Sequence, residues 1–92
     1  MPPESSYFIV LSPGARRALT DDLPEAVAVA AWEFISGPLS RNPRIVGTPL
    51  RAPFLGLMRA RRGEYRVRYR IDDDSHRVIV LDIDHRRDAY RT

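Results

Sequence analysis

The sequence predicts an α+β fold: an N-terminal strand, a helical hairpin, and then a three-stranded antiparallel meander. Three observations support it. An apolar run opens the chain, alanine-rich segments with apolar residues three and four apart follow, and the last third alternates apolar with charged residues. Short turns make the last three strands antiparallel neighbours. The apolar stripes of the helices need a cover, so we expect the helices to pack on one face of a curved sheet.

The N-terminal part carries the first strand and the first helix. Residues 1–5 are expected to be loose, and residues 7–11 form an aromatic and β-branched run that reads as a strand. Because this run is apolar at every position, we expect it either to be buried on both faces or to lie inside the sheet. Ser12 supplies a helix cap and Pro13 a first helical residue. The helix should end near Asp22, before a proline.

The second helix begins at Pro24 and is expected to end at Gly37-Pro38. Its apolar positions recur at spacings of three and four, which gives one stripe. The members of that stripe are Val27, Ala30, Ala31 and Phe34. Residues 40–53 contain three prolines and a glycine, and we expect them to form an irregular but ordered crossover loop.

Three predicted strands complete the fold, at residues 55–61, 65–71 and 77–83. Residues 62–64 and 72–75 supply the turns between them. The third strand is apolar at both parities over residues 78–81, which is typical of a central strand.

One face of the meander is rich in arginine. Side chains on a strand alternate between faces, so Arg66, Arg68 and Arg70 share the face opposite to their apolar neighbours. Arg59 and Arg61 share a parity on the preceding strand, and directly opposite residues lie about 4.5–5.5 Å apart. Such crowding is repulsive and predicts an anionic partner. The alternative is a solvated face whose arginines pair with carboxylates of residues 72–74, Asp82 or Asp88.

Composition narrows the function classes. The net charge is +3, all fifteen basic residues are arginine, and residues 54–92 hold ten of them against seven acids. The absence of cysteine excludes disulfides and thiolate metal sites, and two histidines are too few for a usual metal site, so we expect no cofactor. Without an apolar run of membrane-spanning length or a secretory signal, we expect a soluble cytoplasmic protein.

Phosphate is the anion that guanidinium groups fit best, which suggests RNA chemistry. Attack of a ribose 2′-hydroxyl on the adjacent phosphate needs charge stabilisation, a proton acceptor and a proton donor. Arg66 and Arg86 are candidates for the first role. Tyr90 and His85 are candidates for the proton roles, and neighbouring arginines lower the pKa of a tyrosine. We expect His76 to be a turn residue.

The C-terminal motifs resemble the RelE branch of the RelE/ParE superfamily of bacterial type II toxins. The resemblance rests on residues 60–73 (ARRGEYRVRYRIDD), 78–81 (VIVL) and 84–91 (DHRRDAYR), with weaker support from residues 15–19 and 47–50. It implies a single RelE-like toxin domain over residues 1–92. The implied activity is that of an mRNA interferase, an endoribonuclease that cuts mRNA in the ribosomal A site and inhibits translation. The implied partner is a small acidic antitoxin that folds on the toxin.

Carried over by position, the resemblance assigns catalytic roles to Arg66, Arg86, Tyr90 and Arg59, and His85 joins them as a proton-transfer candidate. Leu57 stands where studied relatives have lysine, which leaves Tyr90, His85 or Glu64 as proton acceptor and implies weak activity without the ribosome. The other arginines of the basic surface are expected to bind RNA: Arg61, Arg62, Arg68 and Arg87.

Two alternatives share the predicted fold. A ParE-like toxin would inhibit DNA gyrase without nuclease chemistry, and it would stall replication while messages stay intact. A degenerate relative would only bind RNA or antitoxin; the missing lysine favours it, and low toxicity with tight antitoxin binding would identify it.

Overall fold

The computed structural model of the chain describes residues 6–85, so Arg86, Arg87, Tyr90 and the first five residues lie outside the described part. The order of elements is the predicted one, with additions in the crossover. The elements are β1 (Phe8–Leu11), α1 (Pro13–Arg17), α2 (Glu25–Phe34), α3 (Pro43–Val46), β2 (Thr48–Pro49), β3 (Met58–Arg62), β4 (Tyr65–Asp72) and β5 (Arg77–His85). Within residues 6–85, no helix has the length and hydropathy to cross a bilayer.

Helix α1 begins at the predicted cap. The Ser12 hydroxyl accepts a hydrogen bond from the Ala15 amide at 3.0 Å and donates one to the Leu81 carbonyl at 2.6 Å. The cap therefore also ties the helix to β5. A π-helical turn, Ala18–Asp22, continues α1, and the helical segment ends at Asp22 as predicted.

Helix α2 extends further than predicted. A π-helical turn, Ile35–Leu39, follows Phe34 and contains Pro38, so the prediction that Gly37-Pro38 ends the helix is wrong. Ile35 and Leu39 are both 0 % exposed. Burial of these two side chains favours the additional turn, because burying a large aliphatic side chain contributes about 1.5–3 kcal/mol.

The crossover is more regular than predicted, because it contains α3 and β2. Gly47 lies between them, and a Cβ atom there would stand 2.1 Å from the Tyr69 hydroxyl oxygen. That hydroxyl donates a buried hydrogen bond to the Pro43 carbonyl at 2.5 Å. The crossover is thus anchored against the sheet at a point where only glycine fits.

The five strands form one mixed sheet in the order β1-β5-β4-β3-β2, in which β1 is parallel to β5 and the other pairs are antiparallel. β5 lies inside the sheet, as predicted. β1 lies at the edge of the sheet, so its predicted place inside the sheet is wrong. Its predicted burial on both faces is also wrong, because Phe8 is 74 % and Val10 38 % exposed. The physical reason is that the helices cover only one face, and these two side chains point to the other.

Strand β3 begins at Met58, three residues later than predicted. The preceding residues form a loop that the Leu50 amide closes by donating to the Leu57 carbonyl at 2.9 Å. β2 then pairs with the start of β3 beyond this closure.

The helices pack on one face of the sheet, as predicted, and Tyr65, Val67 and Tyr69 of β4 are buried there. Opposite Arg68 and Tyr69, the partners on β5 are Asp82 and Val80, which leaves Leu81 as a bulged residue. The bulge changes the parity of β5. Before it Val78 and Val80 face the helices; after it Ile83 and His85 do.

Candidate functional site

The face of the sheet away from the helices, here called the open face, carries charged side chains in two cross-strand rows. Directly opposite residues point to the same face, with Cβ atoms about 4.5–5.5 Å apart. The register defines an inner rung of Arg59, Arg68 and Asp82, and an outer rung of Arg61, Arg66 and Asp84. The outer rung lies nearer to the β3–β4 turn and to the end of β5.

One of the two arginines of the inner rung is paired with a carboxylate. Arg68 donates to Asp82 through Nε at 3.0 Å and through Nη2 at 2.5 Å, a bidentate ion pair. The hydrogen bond to Asp82 raises the pKa of Arg68, and burial opposes the rise. The alternative of local pairing thus applies to Arg68, whose guanidinium is bound by Asp82 in the free protein; its contact with RNA stays a prediction.

Three of the four arginines in the two rungs have no carboxylate partner within residues 6–85. Within the described part of the chain, no ion pair involves Arg59, Arg61 or Arg66. Arg61 and Arg66 are directly opposite each other, so their charges repel in the free protein. An anion bound between them would remove that repulsion and receive two guanidinium forks. The outer rung is therefore the best anion site on this face.

Arg62 does not join the predicted RNA-binding arginines. Its guanidinium carbon lies 4.7 Å from the centroid of the Phe34 ring, on the helix side of the sheet. The alternation of β3 requires this, because Arg62 shares its parity with the buried Ala60. A cation–π contact with a core aromatic accounts for its position.

His85 also lies away from the arginines. It is opposite Tyr65, 7 % exposed, on the face that the helices cover. Its Nε2 atom is buried and has no hydrogen-bond partner among residues 6–85. The expectation that His85 shares a surface with Arg66 is therefore corrected, and the cause is the bulge at Leu81, which sends odd-numbered residues to the helix side.

The same bulge brings Asp84 onto the open face, which strict alternation along β5 does not predict. Without the bulge, Asp84 would share a face with the buried Val78 and Val80. The available signal was chemical: two carboxylates, Asp82 and Asp84, follow an apolar run at alternate positions. Ionised carboxylates are rarely buried without partners, so a change of parity between Val80 and Asp82 was the simplest solution.

The remaining candidates lie at the margins of this face. Glu64 is exposed in the β3–β4 turn, beside Gly63 with its positive φ of 52°. Leu57, at the position of the lysine in studied relatives, directly precedes β3 and is half-buried. Among residues 6–85 no group of His, Asp or Glu side chains has the arrangement of a metal site.

A second charged cluster lies at the opposite end of the sheet and ties segments together. Arg44 donates to the Asp73 carboxylate at 3.1 and 2.6 Å, and the Tyr7 hydroxyl donates to it at 2.8 Å. The hydrogen bond from Arg44, followed by that from Tyr7, lowers the pKa of Asp73. His76 stacks on Tyr7 with ring centroids 4.1 Å apart and has a φ of 57°, in the turn where it was expected.

Known proteins resemble this chain over most of its length. Residues 9–90 match the family described as the ParE toxin of type II toxin-antitoxin system, parDE. Toxin RelE of Mycobacterium tuberculosis is 45 % identical over 91 residues, which cover 99 % of this chain and 93 % of the relative. Toxin RelG of the same organism is 47 % identical over 85 residues, covering 92 % and 97 %.

Solved structures show the same fold. A chain of the toxin–antitoxin complex RelBE2 from Mycobacterium tuberculosis matches with a TM-score of 0.85 and 46 % identity, over 88 % of this chain and 99 % of that one. The isolated E. coli RelE toxin matches with a TM-score of 0.72 over 87 % and 84 %; at 18 % identity it shows the fold alone. The family match spans most of the sequence. The chain therefore belongs to the ParE toxin family, within the RelE/ParE superfamily, and is the toxin of a type II toxin–antitoxin system.

Proposed function

We propose that this toxin is a ribosome-dependent mRNA endoribonuclease that inhibits translation. The observation that carries the proposal is the outer rung, where Arg61 and Arg66 face each other with no carboxylate partner among residues 6–85. Two relatives that bear the names Toxin RelE and Toxin RelG, at 45 % and 47 % identity, support the RelE branch over other activities of the superfamily.

The arrangement suits cleavage by an internal nucleophile. When a ribose 2′-oxygen attacks the adjacent phosphorus, negative charge grows on the non-bridging phosphoryl oxygens. Arg61 and Arg66 approach one phosphate from neighbouring strands, and each supplies a planar fork of N–H donors. Donors that meet developing charge contribute strongly: removal of one typically costs about 10²–10³ in rate.

The other residues of the site follow from the resemblance. We assign Arg86 to the same phosphate and Tyr90 to proton transfer, and both follow β5 in the sequence. Arg59 extends the basic surface beyond the outer rung and is assigned to the flanking backbone of the RNA, as is Arg87. A substrate in the A site also places the protein in the cytoplasm.

Dependence on the ribosome follows from the sparse acid–base chemistry of the site. The sequence contains no lysine, and leucine occupies position 57. Holding the message in a reactive conformation can supply what weak proton transfer does not, since orientation alone is worth about 7–11 kcal/mol in well-aligned systems. We therefore expect slow or no cleavage of free RNA.

An antitoxin is the second proposed partner. The matching structure RelBE2 is a toxin–antitoxin complex. An acidic segment that folds as it binds would neutralise Arg59, Arg61 and Arg66 and exclude RNA from the open face. We expect the gene next to that of this toxin to encode this small acidic antitoxin.

The proposal is tested by induction of the chain in cells, with primer extension on a translated message. We expect growth arrest and new 5′ ends at A-site codons. Arg66→Ala should abolish both effects. Arg70→Ala is the matched control, because it removes one arginine from the same strand and the same face, about 13 Å further along at 3.3 Å per residue. Equal toxicity of the parent and Arg66→Ala would refute the site.

A gyrase inhibitor is the second candidate, and the matched family, described as a ParE toxin, favours it. This candidate predicts inhibited DNA supercoiling by purified gyrase and intact messages after induction. Growth arrest with no new 5′ ends and with inhibited supercoiling would replace the nuclease proposal. Tight antitoxin binding without growth arrest would instead identify a degenerate relative.

A further inference from the structure

We propose that Asp84 is the proton acceptor for the attacking 2′-hydroxyl. This inference deepens the proposed ribonuclease function and rests on it. It assigns a role to the carboxylate that the β5 bulge turns onto the open face, and that role is the one left without a residue by the missing lysine.

The first argument is placement. Asp84 is directly opposite Arg66, and Arg66 is directly opposite Arg61, so the outer rung presents one carboxylate and two guanidinium groups in line. Neighbouring strands lie about 4.8 Å apart, so the rung spans about 10 Å from Asp84 to Arg61. A phosphate held by Arg61 and Arg66 leaves its adjoining ribose within reach of Asp84.

The second argument is availability. Asp84 is half-buried, and within residues 6–85 it forms no ion pair, although it faces Arg66. The groups around it are Arg66 on β4, Arg68 one position further along that strand's open face, and Asp82 on its own strand; β1 ends opposite Val80. Asp82, by contrast, is fully engaged by Arg68.

The third argument is that the other described candidates are unsuitable. Arginine does not accept protons near neutral pH. His85 is buried on the helix side, and His76 lies at the opposite end of β5. Tyr69 is also on the helix side, where burial raises its pKa to about 12. Glu64 lies in the exposed turn beyond the rung.

The step balances without a cofactor. A carboxylate oxygen of Asp84 takes the proton from the 2′-hydroxyl, and the 2′-oxygen forms a bond to phosphorus. The bond from phosphorus to the 5′-oxygen breaks, and its electron pair leaves on that oxygen. The leaving oxygen takes a proton from Tyr90 or from water. The products are a 2′,3′-cyclic phosphate and a 5′-hydroxyl end.

A counter-ion role makes opposite predictions. If Asp84 only offset the charge of Arg66, its replacement would strengthen the pull on phosphate and leave cleavage at the parental rate or faster. If Asp84 accepts the proton, its replacement slows the chemical step and leaves binding to the ribosome equal or tighter. Measuring ribosome binding and the cleavage rate separately therefore distinguishes the two roles.

The experiment is single-turnover cleavage of mRNA on programmed ribosomes by the full chain. Asp84→Asn should lower the rate at saturating toxin by about 10²–10⁴-fold without weakening ribosome binding. Asp84→Glu should retain part of the rate, and Asp82→Asn, which removes the other open-face carboxylate of β5, should stay near the parental rate. A parental rate for Asp84→Asn would overturn the assignment.

The pH profile of the parent gives an independent test that needs no variant to fold. Between neutral and alkaline pH the cleavage rate should stay level, because the proton acceptor is not a tyrosine. A rate that instead climbs through alkaline pH, as a tyrosine acceptor would give, overturns the proposal. If the parent does not cut at all, the ribonuclease function fails with it; if the parent cuts and Asp84→Asn cuts equally, only the acceptor assignment fails.

Discussion

The two faces of β4 differ although their residues alternate along one strand. Tyr65, Val67 and Tyr69 are buried against the helices, and Tyr69 also holds the crossover through its hydrogen bond to Pro43. Arg66 and Arg68 face away from the helices. Residues of one parity along β4 therefore contribute to stability, and residues of the other parity to function. We expect substitutions at adjacent positions of this strand to affect different properties.

The open face contains a second contrast. Arg68 is bound by Asp82, whereas Arg66, two residues earlier, has no ion-pair partner within residues 6–85. Their sequence contexts are nearly identical, and the difference comes from the partner strands. The number of arginines on a strand therefore does not show by itself where an anion can bind. The positions of the carboxylates on the adjacent strands must also be known.

The largest expected effect is on the helix side. Gly47→Ala places a methyl group 2.1 Å from the Tyr69 hydroxyl and displaces it from the Pro43 carbonyl. Overpacking together with a lost buried hydrogen bond should lower the free energy of unfolding by about 2–5 kcal/mol. Urea unfolding of the full chain measures it. Gly37→Ala is the control, since its methyl group would stand 3.6 Å from a flexible arginine end.

Tyr69→Phe should cost less, about 1–3 kcal/mol, because it leaves the buried Pro43 carbonyl without its donor. It should also change the response to alkali. Burial raises the pKa of Tyr69 to about 12. Its contribution is therefore complete below the unfolded value near 10 and is lost between about pH 10 and 12. Unfolding midpoints measured across that range should decline less steeply in Tyr69→Phe; parallel declines would contradict this.

The inner rung should contribute little. The double variant Arg68→Gln/Asp82→Asn removes the ion pair without changing the net charge. A partly exposed pair is worth about 0–1 kcal/mol, so thermal unfolding should shift only slightly. A large loss of stability would show that the pair holds the bulge of β5 in place.

The smallest effect is expected at the far end of the sheet. The pKa of Asp73 is lowered by Arg44 and Tyr7, so its contribution is present above the unfolded value near 3.9 and is lost as the pH falls below it. In Asp73→Asn the free energy of unfolding should therefore fall slightly less steeply as the pH drops into the acidic range. At neutral pH it should be almost unchanged. Acid titration followed by circular dichroism measures the difference; a marked loss at neutral pH would contradict it.

Local rules predicted the elements well. The Ser12 cap, the order of the meander strands and the arginine alternation each depend on a few consecutive residues. The fold class follows from them, because apolar stripes and alternating strands leave few ways to bury a core. Toxin–antitoxin membership followed from the C-terminal motifs and is confirmed by the family match.

The rest depended on contacts between distant residues. The bulge at Leu81 decides that Asp84 joins the arginines and that His85 leaves them. Its one sign in the sequence is the pair of carboxylates, Asp82 and Asp84, that follows the apolar run. The edge position of β1 depends on its pairing with β5, whose residues are 69 positions away in the sequence. The extra helical turn after Phe34 depends on the burial of Ile35 and Leu39 in the core, which involves residues distant in the sequence. The sequence predicts which residues of one strand share a face. It does not predict which face of the sheet they join.

The most direct test compares the two arginines of β4 in one assay. On programmed ribosomes, single-turnover cleavage by Arg66→Ala should be about 10²–10³-fold slower than that of the parent. The neutral double variant Arg68→Gln/Asp82→Asn should cleave close to the parental rate. Equal losses in both variants, or a greater loss in the double variant, would contradict the claim that the outer rung holds the phosphate.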